Sequence, residues 1–415
     1  MSTLLETLPG SLPESLHDAA AMRIAVIGAG PVGLALALHA ASQLPEAQIS
    51  LFDARSLSKD MSGDPRTLAL SLGSVQLLQR LGAWPAEQTQ AIREVRVSQA
   101  PPTPRRLLGL ELGEPEVRIT ALEQAVPQLG AVLSYGQLLA PLQQAWLALQ
   151  AQQPQRLINR FGEPVRGLKA KAGGVEVDAG IAEPFELAIV AEGGVFAEQA
   201  RKAITYDYQQ TAWVGTVTLA PGSPEGIAYE RFTRQGPLAL LPLKPLDGQQ
   251  RAALVWCVDA RDDDVGELSD TQRLTVLNHL LHPSTGRLTG ISPLKSFPLG
   301  LNAERSLVQG RTVRIGNAAQ TLHPVAGQGM NLGLRDAFAL VHALKRSDVD
   351  AALRSVEWQR APDRWSTLLA TDFLARSFTW RWPGLPAARG LGLAAVQALP
   401  GLKSTLARQM MFGRR

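Results

Sequence analysis

The residues of this chain best suited to chemistry are two sets of glycines and one carboxylate. Gly28-Ala29-Gly30-Pro31-Val32-Gly33 follows an apolar run, Met22–Ile27, that reads as a buried strand. An Ala/Leu-rich helix comes next, Leu34 to about Ser42, then a second strand, Ile49–Phe52, closing on Asp53. In such a unit the first glycine permits the tight turn and the second lets a pyrophosphate approach the backbone. The third allows close helix–strand packing, with Pro31 and Val32 in the turn between. Asp53 lies twenty residues past Gly33, where a carboxylate can accept hydrogen bonds from ribose hydroxyls. Glycines alone are a weak signal. Strand, glycines, helix, strand and acid in that order point to a dinucleotide site, against a merely structural turn.

The second set closes the stretch Arg314–Asp336. A short strand, Val313–Ile315, ends at Gly316, and Asn317, Gln320 and a His323-Pro324 corner follow. Then come Gly327-Gln328-Gly329-Met330 and a helix expected to begin near Asn331. Glycines beside a helix start let backbone N–H groups approach a ligand, and the N-terminus favours negative charge there. His323 reads as a residue that positions the loop, with a direct acid–base role as the alternative. Pro324 fixes the backbone and removes a donor.

Positioning two such turns needs a sizeable scaffold. The 415 residues leave room for two or three domains with substantial cores. A single cysteine, Cys257, excludes a disulfide framework and Cys-rich metal or iron–sulfur sites. It reads as a small buried hydrophobe in the strand Ala252–Val258. No metal-ligand spacing and no Ser/His/Asp constellation stands out. Acids and bases are well mixed around a net charge of +4, which gives nucleic-acid binding little support. No apolar run reaches the length of a membrane span. Residues 1–21 carry three acids and two prolines and no basic start, and read as a flexible tail, not a signal peptide. Cysteine usage and the absence of a span suggest a cytoplasmic protein.

Along the chain, helices are expected over Gly73–Leu81, Tyr135–Gln150 and Asp270–Leu281, and strands near 156–159, 165–170, 174–177 and 185–190. A β-rich block, with strands over 211–219, 228–233, 238–242 and 252–258, reads as a mostly antiparallel sheet. The expected fold class is α/β: a Rossmann-like nucleotide domain (22–91, 130–200 and 298–350) interleaved with an antiparallel substrate domain (92–129 and 201–297). Residues 351–415 form a C-terminal helical region. Its cluster of aromatics and bases, including Trp380, Arg381, Trp382, Lys403 and Arg408, suits either a bilayer surface, partner proteins or plain packing.

With both turns read, the chain resembles the FAD-dependent aromatic hydroxylases of the p-hydroxybenzoate hydroxylase type, and within them the ubiquinone-biosynthesis branch. The likeness is densest in GAGPVGLALA (28–37), DPRTLALSLGSVQLL (64–78), GPLALLPL (236–243), FPL (297–299) and GNAAQTLHPVAGQGMNLGLRDA (316–337). Many relatives carry Asp where this chain has Asn317 and His where it has Gln320; the Asn and Gln form is typical of this branch. Glu192, ahead of Gly193, stands where the family commonly has Asp, and the Ser and Arg that often follow are missing.

The resemblance implies an FAD monooxygenase. NAD(P)H, bound transiently, reduces the flavin, and a C4a-hydroperoxide formed with O₂ hydroxylates an electron-rich phenol. In this branch the phenol is polyprenylated and methoxylated. It also implies FAD contacts for Arg66, Gln137 and Glu192, with a surface ion pair as the alternative for Arg66. The Gly327–Asn331 turn is expected beside the flavin N1–C2=O edge. The absence of a second G-x-G-x-x-G argues against a separate NADPH domain, and the scarcity of catalytic side chains suits a reaction carried by the cofactor. Two alternatives stand beside this reading: a hydroxylase of a small soluble aromatic, and a non-catalytic FAD-binding subunit among other ubiquinone-biosynthesis proteins. A membrane-borne substrate makes peripheral contact with the inner membrane an expectation.

Overall fold

A computed structural model of the chain describes residues 21–101, 106–107, 110–111, 114–191, 203–324, 327–377 and 384–414. Residues 1–20, Glu192 with the loop through Phe196, and the Phe378, Trp380, Arg381 and Trp382 cluster lie outside the described residues.

The first sheet is built from runs that are apolar on both faces, as parallel strands covered by helices must be. Strands 157–161, 48–53, 23–27, 187–190 and 312–314 lie side by side in parallel, and 308–309 closes the edge antiparallel. Helix α1 (Pro31–Gln43) is buried along almost its whole length. Its apolar face packs into the core formed by this sheet. The expected single strand over 185–190 is two. Ala182–Phe185 pairs antiparallel with 174–178, whereas Leu187–Val190 joins the parallel sheet. Glu186 stands at the break and accepts the Arg23 backbone N–H.

Helix α2 (Leu72–Arg80) follows a strand, Thr67–Ser71, that pairs with Gly130–Ser134. Helix α3 (Tyr135–Gln152) starts on a capping box. The Ser134 hydroxyl accepts from the Gln137 N–H, and the Gln137 side chain accepts from the Ser134 N–H.

The second large sheet has nine strands and is mostly antiparallel. Its spine is Ile204–Leu219, flanked by Gln249–Asp259 on one side and Lys295–Ala303 on the other. Strands 237–246, 227–232, 94–99 and 116–120 extend it. The strand Lys295–Ala303 runs through the domain boundary expected at 298, so residues up to 303 belong with this sheet. Helix α4 (Asp270–Leu280) covers one face over Val217, Leu240, Leu254 and Trp256.

The chain then returns to the first sheet and enters helix α5 (Gln328–Arg346). This helix starts three residues earlier than expected. Gly327, at φ 57°, takes the left-handed conformation that turns the chain into its first turn. Helix α6 (Val349–Ser377) packs against α5 around the buried pair Asp336–Arg360, 2.7 Å apart. Helices α7 (Leu385–Ala398) and α8 (Pro400–Phe412) complete the C-terminal region. Among the described residues no helix is long and apolar enough to cross a membrane.

Candidate cofactor site

The two glycine turns, almost 300 residues apart in sequence, meet in space. A Cβ added at Gly316 would lie 3.6 Å from the Val32 side chain, and one at Gly333 would lie 2.8 Å from Gly316 and 3.1 Å from Val32. Helix α5 can approach the first turn this closely only without a side chain at Gly333, while Gly316 is held to glycine by its φ of 59°. Gly33 has the same role within its own unit, since a Cβ there would overlap the Gly28 carbonyl oxygen at 1.9 Å. Pro31 occupies the first turn of α1, where a missing N–H costs nothing. The N–H groups of Val32 and Gly33 have no intrahelical acceptor there, and Gly30 lacks the side chain that would cover them.

Asp53 is 5% exposed and makes four contacts. Its Oδ2 accepts the Ala29 N–H at 2.7 Å and the Arg55 Nη2 at 2.8 Å; its Oδ1 accepts the Arg55 N–H at 2.8 Å and Nε at 2.9 Å. Burial pushes this acid up, but the Arg55 and Ala29 hydrogen bonds outweigh it and hold the pKa below the usual range. A carboxylate offers about four acceptor sites. All are filled, so a ribose hydroxyl reaches Asp53 only as Arg55 swings aside.

Arg66 forms an exposed pair with Asp64 at 2.7 Å, the alternative expected for it, and also lies over the Tyr135 ring at 4.1 Å. The Tyr135 hydroxyl is 3.4 Å from where a Gly30 Cβ would be. Arg66 is thereby brought to the rim of the first turn. The Gln137 Oε1 is spent on the α3 capping box.

At the second turn, Gly329 and Met330 lie in the first turn of α5, where N–H groups lack intrahelical acceptors. A Cβ added at Gly329 meets nothing within 4 Å, so this end of the helix faces open space. Gln328 is half-buried beside them, and Pro324 and Asn317 are exposed. Asn331 is only 1% exposed, and its side chain is wholly structural. It accepts the Ser71 N–H at 2.8 Å and donates to Gly327 O at 2.8 Å and Ala69 O at 3.1 Å. That clamp ties the first turn of α5 to the strand 67–71.

His323 is also buried, and burial pulls its pKa down to about 4. Neutral at ordinary pH, its Nε2 lies 2.9 Å from Gln210 Oε1 on the large sheet. It therefore pins the loop, as the positioning reading expects. Gln320 is buried likewise and accepts from Arg364 Nε of α6 at 2.7 Å.

Arg55, Tyr135 and Gln210 escaped the sequence reading. Arg55, two residues after the acid that ends its strand, was visible in principle; the other two meet their partners only through the fold. Glycine cradles, open helix N-termini and a buried acid suit a dinucleotide with a flat ring system, and the residues present fit FAD.

A family model described as an FAD binding domain matches residues 194–355. Over 410 residues the chain is 29% identical to 3-demethoxyubiquinol 3-hydroxylase of Escherichia coli, covering 92% of this chain and 96% of that protein. It is 36% identical over 217 residues to ubiquinone hydroxylase UbiL of Rhodospirillum rubrum, covering 50% of this chain and 49% of that one. The crystal structure of Klebsiella pneumoniae HpxO complexed with FAD and uric acid shares the fold, with a TM-score of 0.66. It covers 93% of this chain and 97% of that one at 17% identity. The chain is thus similar to FAD-dependent hydroxylases along most of its length.

Proposed function

We propose that this protein hydroxylates a polyprenylated phenol in ubiquinone biosynthesis, with NAD(P)H as electron donor and O₂ as oxygen source. The observation that carries the reading is the meeting of the two glycine turns at Val32, Gly316 and Gly333, with the open end of α5 beside them. The near full-length match to a hydroxylase of a ubiquinone precursor supports the substrate class. When bound, FAD supplies the two-electron reduction by NAD(P)H and the activation of O₂.

The chain's own residues bind, orient and exclude water. Gly28, Gly30, Pro31, Val32 and Gly33 cradle the pyrophosphate, and Asp53 with Arg55 receives the ribose. Arg66 adds positive charge over Tyr135 at the rim. Gly316 and Asn317 border the ribityl chain. The first turn of α5, from Gly327 through Gln328 and Gly329 to Met330, offers N–H groups and a positive dipole end where the reduced ring carries negative charge. Asn331 and His323 hold that turn and the loop before it in place.

A substrate with a polyprenyl tail resides in a bilayer, and one surface suits contact with it. Leu399, Leu402, Leu406 and Met410 form an exposed apolar stripe along α8. Lys403, one of the C-terminal bases, is buried and paired with Glu123 at 3.0 Å.

The test is a bound-flavin spectrum on the purified protein, followed by hydroxylation of a prenylated methoxyphenol under ¹⁸O₂. Label in the product is expected; protein that stays flavin-free after FAD is added overturns the reading. Gly329→Asp places a negative charge at the open end of α5 and is expected to weaken flavin binding or slow its reduction at least tenfold, a loss of about 1.4 kcal/mol. Unchanged flavin content and turnover in that variant remove the α5 assignment.

A further inference from the structure

In the strand Ile227–Phe232, side chains alternate between the two faces of the large sheet. Ile227 and Tyr229 pack into the core under α4. Ala228 and Phe232 point the other way, toward the body of the molecule, with Val97, Leu241 and Leu374. Glu230 shares this inner face, between Val97 on one neighbouring strand and Ala239 on the other. The same face borders the cofactor site. Ala69 joins its apolar cluster, and a Cβ at Gly327 would lie 3.4 Å from the Ala69 side chain.

Glu230 Oε1 is sealed from solvent and has no hydrogen-bond partner among the described residues. The residue as a whole nevertheless keeps some accessible surface. One carboxyl oxygen is thus sealed while the rest of the residue is not. Burial alone pushes its acid up to about 8, and no charged neighbour offsets that. Other titratable groups at this face are Cys257, Tyr208 and His323, with Asp372 and Arg376 from α6. Of these, Cys257 is raised by burial and by Glu230, while Tyr208, Asp372 and Arg376 interact among themselves. A buried, unpartnered carboxyl is costly, and an apolar residue would pack there without that cost. Its natural complement is a neutral, largely apolar ligand bearing one hydroxyl donor, which describes a phenol.

We propose that Glu230 is the acid–base residue of this site, accepting the hydrogen bond of the substrate's ring hydroxyl and taking up its proton. Acting as the carboxylate, Glu230 takes the proton: the O–H bond breaks, its electron pair stays on the ring oxygen, and the new O–H bond forms on Glu230. The electron-rich ring is then the better acceptor of an oxygen atom. The proton returns to the ring oxygen of the product, so Glu230 ends each turnover as it began. This assignment rests on the phenol-hydroxylase reading.

The experiment compares wild-type holoenzyme with Glu230→Gln and Glu230→Asp, using a short-chain prenylated methoxyphenol as substrate. Flavin content, thermal stability and the pH profile of kcat/KM are measured together. Glu230→Gln is expected to keep its flavin and fold, and to lose about 10²–10⁴-fold in kcat/KM along with the inflection near pH 8. Glu230→Asp, which retains a carboxyl, is expected to recover part of the rate with a shifted inflection. If wild type hydroxylates the phenol and Glu230→Gln matches its rate and profile, this assignment alone falls. It also falls if Glu230→Asp does no better than Glu230→Gln. If wild type hydroxylates no prenylated phenol, the functional reading falls and takes the assignment with it.

Discussion

The two faces of the nine-stranded sheet are made by alternate residues of the same strands, yet they are finished differently. On the α4 side, Val217, Leu240, Leu254 and Trp256 are at most 2% exposed. On the inner side, Val97, Val214, Ala239, Leu241 and Val255 all keep some accessible surface, and Glu230 stands among them. The first face is closed by α4, whereas these residues of the second keep more accessible surface. A period of two lets one strand serve both ends, because odd and even positions are packed by separate neighbours. One face holds the sheet together under α4, and the other is the side on which the proposed substrate site lies.

The sharpest way to break this contrast is to truncate neighbours in one strand. Leu254→Ala opens a cavity under α4 and is expected to cost about 2–5 kcal/mol. Val255, one residue on, already keeps some accessible surface, and Val255→Ala is expected to cost less, about 1 kcal/mol, while altering the KM for substrate. Urea unfolding of the two variants decides it, and equal losses would show both faces to be packed alike.

A second test uses acid. His323 joins the inner face to the cofactor loop and stays neutral, its pKa lowered by burial from 6.5 to about 4. Between those values the unfolded chain binds a proton that the folded chain does not. Stability is therefore retained above about pH 6.5 and lost as pH falls toward 4, by up to about 3 kcal/mol. His323→Asn is expected to flatten that part of the curve in a thermal-denaturation series; an unchanged slope assigns the acid sensitivity elsewhere.

Glu230 has the opposite sign. Its folded pKa is raised from 4.5 to about 8, so the folded state binds the extra proton and stability falls as pH rises through that window. At pH 7 the penalty is about 3 kcal/mol. Glu230→Gln removes it and is expected to raise the melting temperature at pH 7 and leave it little changed near pH 4. A residue that lowers stability while supporting turnover is what a functional site predicts. A lower melting temperature at pH 7 would instead make Glu230 part of the packing.

How much of this was legible in the sequence follows the range of the contacts involved. The cradle at Gly28–Gly33, Asp53 and the helix behind them are local, and their spacing announces them. Asn331 was not legible. Its position in a glycine-rich turn suggests a ligand contact, but its partners Ala69 and Ser71 lie some 260 residues away. Among the uses the sequence left open for the C-terminal bases, the structure shows packing for Lys403, because the approach of α8 to Glu123 buries it. Glu230 carried a signal that went unread. An acid at an inward position of an alternating strand, between Ala228 and Phe232, has to be buried, and a buried acid with no base in register asks for a partner from outside the chain.

The smallest expected effect on stability lies at the surface, where α8 repeats the contrast on a single helix. Its inner side sends Ala407 and Met411 into the cluster that lines the inner face of the sheet. Its outer side displays Leu399, Leu402, Leu406 and Met410 to solvent. Apolar residues at three- and four-residue spacing give a continuous strip, and a strip of that kind gains free energy by entering the acyl boundary of a bilayer. Replacing Leu402 and Leu406, 44% and 39% exposed, together by Ser removes mainly surface apolar area, so stability should fall by about 1 kcal/mol or less. Cosedimentation with anionic phospholipid vesicles should drop markedly, while hydroxylation of a short-tailed, detergent-dispersed phenol stays intact. Vesicle binding that survives the double substitution would mean the outer side of α8 is ordinary surface, and delivery of a long-tailed substrate would need another route to the inner face.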